Sequence, residues 1–396
     1  MVSMYFPKDE YEARWAKTQD SMREKGYQTA VIWGRTAGSY DRAGDILYLT
    51  NFYSGHSAHE FDTPLWQARS YSAVIMQDGG TPELHMDEAG YPEDLIATDR
   101  VSWHMDPIKG VIDALNERNI SGKVAFVGAD TLPAKYWEQI KAATPNIEWE
   151  EADDVVRDAR RQQSPRELDC MREAGEIVTR GMDALMKAFI GGKTEAESAA
   201  EGAKEVMKDG GVLEYVRLSH GDRVQYWSRS PWNGYSTDPV NQGDTIRAWF
   251  MGPIKEGYFM DPGRTAVCGN NPSPEQKRLI EGAVEVVDGI IDAMKPGVKV
   301  RDLAKVGDEL MVKNGAVLDG AASQWPLYGH RQGMFWDSWI GNEITEPDDV
   351  FEAGTACSSE TFLIHEGVGL AGFEQNVIIT EDGVEILTKT PMIFWD

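Results

Sequence analysis

The feature that most constrains the fold is a change of pattern near residue 160. Up to about residue 155, helical stretches such as EYEARWAKTQDSMREKG alternate with short β-rich runs, TAVIWG, SAVIMQ and KVAFVG, and this alternation predicts an α/β domain. Beyond that point, helices are interleaved with hairpins, which predicts an α+β domain. Because 396 residues suffice for two hydrophobic cores, we predict domains at residues 1–160 and 161–396.

Several elements are predicted individually. The stretch RRQQSPRELDC places Ser164 and Pro165 at a helix start, with Glu167 in the first turn. The run PEQKRLIEGAVEVVDGIIDAMKPG predicts a long amphipathic helix that ends at Pro296 and Gly297. Strands are predicted in DILYLTNF, residues 45–52, in GDTIRAWFM and GYFMDPGRTAVCG with the turn GPIKEG between them, and in TACSSETFLI and EQNVIITEDGVEILT.

Charge narrows the range of partners. The chain carries 39 Lys and Arg against 65 Asp and Glu, a net charge of -26, which repels nucleic acid and anionic membranes. No signal peptide precedes the first helix, and no run approaches the ~20 apolar residues of a membrane span. We therefore expect a cytoplasmic protein that acts on a small-molecule substrate, without nucleic-acid or membrane partners.

Four dispersed residues of the second half could bind a metal ion. Three carboxylates and one imidazole suit a divalent transition metal such as iron, manganese or zinc and leave room for water or substrate. Spacing alone makes this a weak signal, since scattered acids usually lie in solvated loops. The candidates lie on predicted strands and at their ends: Asp261, His330, Glu360 and Glu374.

The same residues fall within motifs of a known superfamily. The segment GDTIRAWFMGPIKEGYFMDPGRTAVCG is similar to a hairpin in which one strand carries a first metal Asp and the Gly-Tyr strand a second. YGHRQG resembles a Gly-His-x-x-Gly motif, SSETFLI resembles the segment of the next ligand, and GFEQNVIITEDGVEILT resembles the closing Glu strand. With the Ser-Pro-x-Glu helix start, these motifs resemble the pita-bread superfamily of methionine aminopeptidase, Xaa-Pro dipeptidase and creatinase.

This resemblance implies a fold and a ligand set. The fold is an α/β creatinase-like N-terminal domain followed by an α+β pita-bread catalytic domain. Asp261 matches the second metal Asp, and His330, Glu360 and Glu374 match the remaining ligands of one ion. We expect one divalent metal ion per chain; the alternative is a metal-free enzyme, as in the creatinase branch, that works by acid–base chemistry alone.

The departures from the superfamily pattern are equally informative. Trp249 stands where the first metal Asp is expected, and an indole offers only a donor, so one of two metal sites is lost. Trp232 and Asp337 stand where the peptidases carry two further histidines, which hold the scissile peptide. These three replacements argue against ordinary peptide hydrolysis.

Aromatic side chains take the place of those groups. Trp232 and Trp249 are expected to face the active-site cavity, with Tyr258 nearby in sequence, and rings on one pocket attract a small cation. The segment SRSPWNG also resembles the dimethylsulfoniopropionate lyase branch. We therefore expect a non-peptidase enzyme that cleaves a C–S or C–N bond in a small zwitterionic or cationic metabolite, best described as dimethylsulfoniopropionate-lyase-like. Asp337 is the expected base, with Glu360 as its substitute if no metal binds.

Three alternatives remain open. The chain could be a creatinase-like or ectoine-hydrolase-like C–N hydrolase, an Xaa-Pro dipeptidase or aminopeptidase, or a binding protein that has lost catalysis. The resemblance also implies a homodimer whose pockets are built across the interface. Arg69 could then reach the partner's active site; the other interpretation is an ordinary surface arginine.

Overall fold

The structure is a computed structural model. It describes residues 3–35, 43–54, 68, 70–226, 234–316, 327–334, 339–341 and 348–395. The chain forms two compact units, Met1–Arg161 and Gln162–Asp396, and each is described by itself. None of the helices in the described ranges is long and apolar enough to cross a membrane.

The N-terminal unit is a mixed sheet with helices. Its helices in the described ranges are α1 Lys8–Glu24, α2 Ala43–Thr50, α3 Pro107–Glu117, α4 Ala134–Ala143 and α5 Asp154–Arg160. Its strands there are β1 Thr29–Arg35, β2 Tyr71–Gln77, β3 Glu83–Met86, β4 Val101–Trp103, β5 Gly122–Val127 and β6 Ile147–Glu151. The strand order is β4-β3-β2-β1-β5-β6, and β1 is antiparallel to β2 but parallel to β5.

The strand predicted at residues 45–52 is wrong, because this segment lies in α2, which packs against α1 and β1. Its buried residues include Ile46 and Leu49, and the Leu49 carbonyl accepts a hydrogen bond from the Trp15 indole at 2.7 Å. A short apolar run fits a buried helix as well as a strand, and here packing against α1 decides the outcome.

The C-terminal unit places helices against a larger antiparallel sheet. Its helices in the described ranges are α6 Pro165–Ile190, α7 Glu195–Lys208, α8 Pro274–Ala293 and α9 Val300–Lys313. Its strands there are β7 Tyr215–His220, β8 Thr245–Lys255, β9 Tyr258–Met260, β10 Gly263–Val267, β11 Val298–Lys299, β12 Val350–Phe351, β13 Thr355–His365, β14 Gly369–Thr380 and β15 Gly383–Ile386. The main strand order is β13-β14-β10-β8-β7, with β15 beside β14 and β9 beside β8.

Two helix starts in this unit, those of α6 and α8, follow their sequence signals. Ser164 caps α6, as predicted, and forms a capping box in which the Glu167 carboxylate accepts a hydrogen bond from the Ser164 backbone N–H. The predicted long helix is α8, which has the same kind of cap at Ser273. The run predicted as one strand around Asp261 is divided into β9 and β10, since proline at position 262 has no N–H to donate to a ladder.

The alternation of side chains along the strands separates two faces of the main sheet. Phe373 and Val377 of β14 and Leu363 of β13 join the core formed with α8 and α9. Because side chains alternate along a strand, Glu360 and Glu374 point to the opposite face. The helices therefore cover one face of the sheet, and the candidate ligands lie on the other.

Candidate active site

Two glutamates lie side by side on this face of the sheet, opposite the helices. Glu360 of β13 and Glu374 of β14 are directly paired in the antiparallel ladder, and both are buried. Opposite residues of such a pair have their Cβ atoms about 4.5–5.5 Å apart. Each carboxylate therefore lies within the electrostatic field of the other.

A short segment beside β13 adds the histidine. The carbonyl of His330 accepts a hydrogen bond from the Ser358 amide at 2.8 Å, which attaches the segment to the strand. Gly329 allows this close approach: a Cβ at that position would lie 2.0 Å from the Ser358 carbonyl oxygen, and its φ is 125°. This glycine therefore has a local structural purpose, which is to bring the imidazole to the sheet.

Asp261 completes the cluster from the break between β9 and β10. Its Oδ2 lies 3.1 Å from Nε2 of His330, and that nitrogen lies 3.4 Å from Oε1 of Glu374. One ligand atom from each of Asp261, His330 and Glu374 lies within 4.8 Å of the others, and all three residues are buried. This geometry suits a single ion between them.

The hydrogen bond at the far side of the imidazole fixes its orientation. Nδ1 of His330 lies 2.9 Å from the Arg331 carbonyl oxygen. A carbonyl can only accept, so Nδ1 carries the hydrogen and Nε2 faces the carboxylates. Such a bond on the second nitrogen is the usual support of a metal-binding histidine.

Burial of several acids together perturbs their ionisation. Burial raises the pKa of Glu374 well above its usual value, and the negative charges of Asp261 and Glu360 add to this effect. Burial alone would lower the pKa of His330, but Asp261 and Glu374 outweigh it and raise that pKa well above the usual value. The carboxylates therefore create a strongly cation-attracting site.

The residues present fit a divalent metal ion. Among the described residues, Oε1 of Glu374 is buried without a hydrogen-bond partner, and it faces the other two ligand atoms. An unsatisfied carboxylate oxygen beside an imidazole nitrogen and a second carboxylate is a donor set that iron, manganese and zinc accept. The predicted ligands Asp261, His330 and Glu374 are thus brought together, with Glu360 adjacent to Glu374.

Trp249 lies directly against this cluster. Its Nε1 donates a 2.7 Å hydrogen bond to Oε2 of Glu374, and its ring stacks on Phe362 at a centroid distance of 5.1 Å. Gly263 and Gly372 make room for it, since a Cβ on either would lie 2.0 Å and 2.7 Å, respectively, from the indole. With 1% of its surface exposed, Trp249 fills space beside the ligands and offers little ring surface to a substrate.

Of the other predicted site residues, the structure describes some and not others. Tyr258 donates its hydroxyl hydrogen to Glu167 of α6 at 2.6 Å, so that this hydroxyl supports the helix start. Substrate binding by Tyr258 and Trp249 stays a prediction. Trp232, Arg69 and Asp337 lie outside the described residues, and their predicted roles in substrate binding and catalysis are untested.

Sequence reasoning missed three side chains that contact or surround the cluster. Gln332 and Asn376 donate to Asp261, and the buried guanidinium of Arg247 lies 5.7 Å from the rings of both Trp249 and Phe362. Burial lowers the pKa of Arg247 to about 9. Period-two spacing could have found two of them, because Arg247 precedes Trp249 by two residues and Asn376 follows Glu374 by two.

A buried Asp/His/Glu cluster on an antiparallel sheet is the kind of site that a metal-dependent enzyme uses, and comparison with known proteins gives the family of this chain. Residues 169–381 match Metallopeptidase family M24, which is more than half of the chain. The chain belongs to this family, whose fold is the pita-bread fold. The predicted superfamily and fold class are therefore confirmed.

Individual relatives extend the match over both units. The creatinase of a Bacillus species is 26% identical over 416 residues, covering 98% of this chain and 93% of the relative. An Xaa-Pro dipeptidase of Pyrococcus horikoshii is 26% identical over 261 residues, covering 66% and 72%. The solved structure of an Xaa-Pro dipeptidase from Bacillus anthracis superposes with a TM-score of 0.76 at 19% identity, covering 97% and 99%.

These comparisons correct the functional expectation. The predicted dimethylsulfoniopropionate-lyase-like activity is wrong, because the matching relatives and structures are Xaa-Pro dipeptidases, other dipeptidases and creatinase. The broader predictions, an enzyme of hydrolase type that uses a divalent metal ion, are confirmed by the family and by the ligand cluster.

Proposed function

We propose that this chain is a metal-dependent hydrolase that cleaves the amide C–N bond of a small dipeptide with a C-terminal proline. The observation that carries the proposal is the buried cluster of Asp261, His330 and Glu374, with Glu360 beside it, in a chain of Metallopeptidase family M24. The substrate class follows from the relatives, several of which are Xaa-Pro dipeptidases.

In this proposal the four residues share one role, and Glu360 has a second. Asp261, His330, Glu360 and Glu374 would hold one divalent ion, which supplies Lewis-acid polarisation of a carbonyl and activation of water. Glu360 is also our candidate acid–base group, since its carboxylate is buried and lies directly across from Glu374. It would take a proton from the attacking water and return it to the leaving nitrogen.

Proline release tests the proposal directly. Manganese-loaded protein is incubated with Ala-Pro and Ala-Ala. We expect kcat/KM to be higher for release of proline from Ala-Pro than for cleavage of Ala-Ala. Glu360→Gln keeps the shape but removes the proton acceptor, so kcat should fall about 100-fold or more. Glu309→Gln, at a largely exposed position, is the matched control and should retain full activity. If manganese-loaded wild-type protein releases no proline from Ala-Pro, the proposal is contradicted.

A second candidate function is creatinase-like hydrolysis of a C–N bond in a small guanidino compound. It is favoured by Trp249, which stands where the superfamily resemblance implies a metal ligand, and by the creatinase relative that matches 98% of the chain. Creatine assayed beside Ala-Pro, with and without a chelator, separates the two. Chelation should abolish proline release, whereas cleavage of creatine that persists under chelation would favour the second function.

We also propose that the chain works as a homodimer in the cytoplasm. Support for the dimer comes from the superfamily resemblance, which implies that a pocket is completed by the partner chain. Arg69 would then contact substrate in the partner's active site, and Trp232 would line the same pocket. The substrate is a small molecule in either of the candidate functions.

A further inference from the structure

Three buried N–H donors are directed at the carboxylates of the metal cluster. Oδ1 of Asp261 accepts hydrogen bonds from Nε2 of Gln332 at 2.7 Å and from Nδ2 of Asn376 at 2.6 Å. Oε2 of Glu374 accepts one from Nε1 of Trp249 at 2.7 Å. We refer to Gln332 and Asn376 as the amide clamp.

The local structure fixes the direction in which both amides point. Oδ1 of Asn376 accepts from the backbone N–H of Asp261 at 3.3 Å, which turns its NH₂ group toward the carboxylate. The backbone N–H of Gln332 donates to the Ala356 carbonyl at 2.9 Å, which holds its segment against β13. Because an ionised carboxylate only accepts, the amide nitrogens must be the atoms that face it.

These bonds give the two oxygens of each carboxylate different partners. A carboxylate oxygen has two lone pairs, and the two amide donors use both of those on Oδ1 of Asp261. The other oxygen, Oδ2, faces His330, as does Oε1 of Glu374. The ligand atoms of Asp261, His330 and Glu374 thus converge on one point, and the opposite oxygens of the two carboxylates are occupied by hydrogen-bond donors.

We propose that the amide clamp and Trp249 together restrict this site to a single metal ion, with Asp261 acting as a ligand through one oxygen. A second ion would need Oδ1 of Asp261 and Oε2 of Glu374, and it would meet the positive ends of three N–H dipoles there. Loss of the aspartate at position 249 is therefore insufficient to explain the restriction. The inference rests on the proposed function only in taking the cluster as a metal site.

Metal content per folded chain tests the proposal. Wild-type protein saturated with Mn²⁺ should contain one ion by elemental analysis and give the electron paramagnetic resonance signal of an isolated ion. Trp249→Asp should still contain one ion, because the clamp remains. Combining Trp249→Asp with Gln332→Met and Asn376→Ala should give two ions and a spin-coupled signal.

A neighbouring amide supplies the matched control. Gln375 precedes Asn376 on β14, and it contacts Arg264 and Thr388 instead of the cluster. Trp249→Asp combined with Gln375→Met should therefore remain at one ion. Circular dichroism and thermal melting establish that each variant is folded before its metal is counted.

Three results would overturn the proposal: two ions in the wild-type chain, two ions in Trp249→Asp alone, or one ion in the folded triple variant. If the triple variant does not fold, titration of the wild type and of Trp249→Asp with excess Mn²⁺ still decides, since a spin-coupled signal in either refutes it. A protein that binds one ion but releases no proline would refute the proposed function and leave the clamp intact.

Discussion

At the scale of single residues, the indole of Trp249 substitutes a hydrogen-bond donor for a metal ligand. It satisfies one oxygen of a buried glutamate that would otherwise lack a hydrogen-bond donor. An aspartate at the same position would add a further negative charge to a cluster that already holds three carboxylates. In the proposed single-ion site, the indole therefore lowers the electrostatic repulsion of the cluster as well as its capacity for metal.

The hydrogen bond from Trp249 should contribute measurably to stability. Trp249→Phe keeps an aromatic ring against Phe362 but removes the donor, leaving a buried carboxylate oxygen unsatisfied, and we expect a loss of about 2 kcal/mol. Chemical denaturation of the metal-free protein measures it. Trp33→Phe is a suitable control, because the buried Trp33 indole has no hydrogen-bond partner among the described residues. Equal losses in both variants would show that ring volume alone accounts for the effect.

The residues of the site were partly predictable. The order of the motifs identified Asp261, His330, Glu360 and Glu374, because ligands on adjacent strands need fixed positions in the chain. The amide clamp was not predictable in this way. Glutamine and asparagine are common on any surface, and their role here depends on a packed geometry in which β14 and the segment around His330 meet at Asp261.

At the scale of secondary-structure elements, prediction succeeded where local signals are strong. The capping boxes at Ser164 and Ser273 define helix starts through bonds between residues three apart, which the sequence contains explicitly. It failed for residues 45–52, where an apolar segment takes its conformation from α1 and β1. Elements whose conformation depends on long-range packing are less predictable from sequence than helices whose starts are defined by their own capping residues.

Glu83 connects three elements of the N-terminal unit. Its carboxylate on β3 binds Arg100, which precedes β4, and Arg118, which caps the end of α3. It also lies 2.9 Å from Nε2 of His85. Burial alone would raise the pKa of Glu83, but hydrogen bonds from His85 and Arg118 lower it from 4.5 to about 2.

This network predicts a stability that depends on pH. A folded-state pKa below the unfolded value stabilises the protein above pH 4.5, and this contribution is lost as the pH falls from 4.5 to about 2. Glu83→Gln should lower the free energy of unfolding by on the order of 2 kcal/mol at pH 7, allowing for solvent screening of the arginines. The difference from wild type should shrink by more than half at pH 3.

Denaturant titrations at the two pH values measure this difference. Glu309→Gln, which removes one negative charge from an exposed position, controls for the change in net charge. A difference between wild type and Glu83→Gln that is the same at pH 7 and pH 3 would contradict the proposed network.

At the scale of the whole molecule, the candidate metal site belongs to one of the two units. All four candidate ligands belong to Gln162–Asp396, on the sheet face opposite α8 and α9. The buried acids of the cluster repel one another when no cation is present, so the C-terminal unit carries a destabilising arrangement that metal binding relieves. Stability of this unit should therefore be linked to metal concentration.

Hydrogen exchange can measure this linkage along the chain. At a free Mn²⁺ concentration about 100 times the dissociation constant, binding stabilises the folded unit by about 2.7 kcal/mol. Amides of β13 and β14 that exchange by unfolding of the C-terminal unit should then exchange about 100-fold more slowly than in chelator. The strands β1 and β2 hold none of the ligands and serve as the reference within the same sample. Equal slowing in all four strands would contradict a stabilisation confined to the C-terminal unit, and no slowing in β13 and β14 would mean that the cluster does not bind the ion.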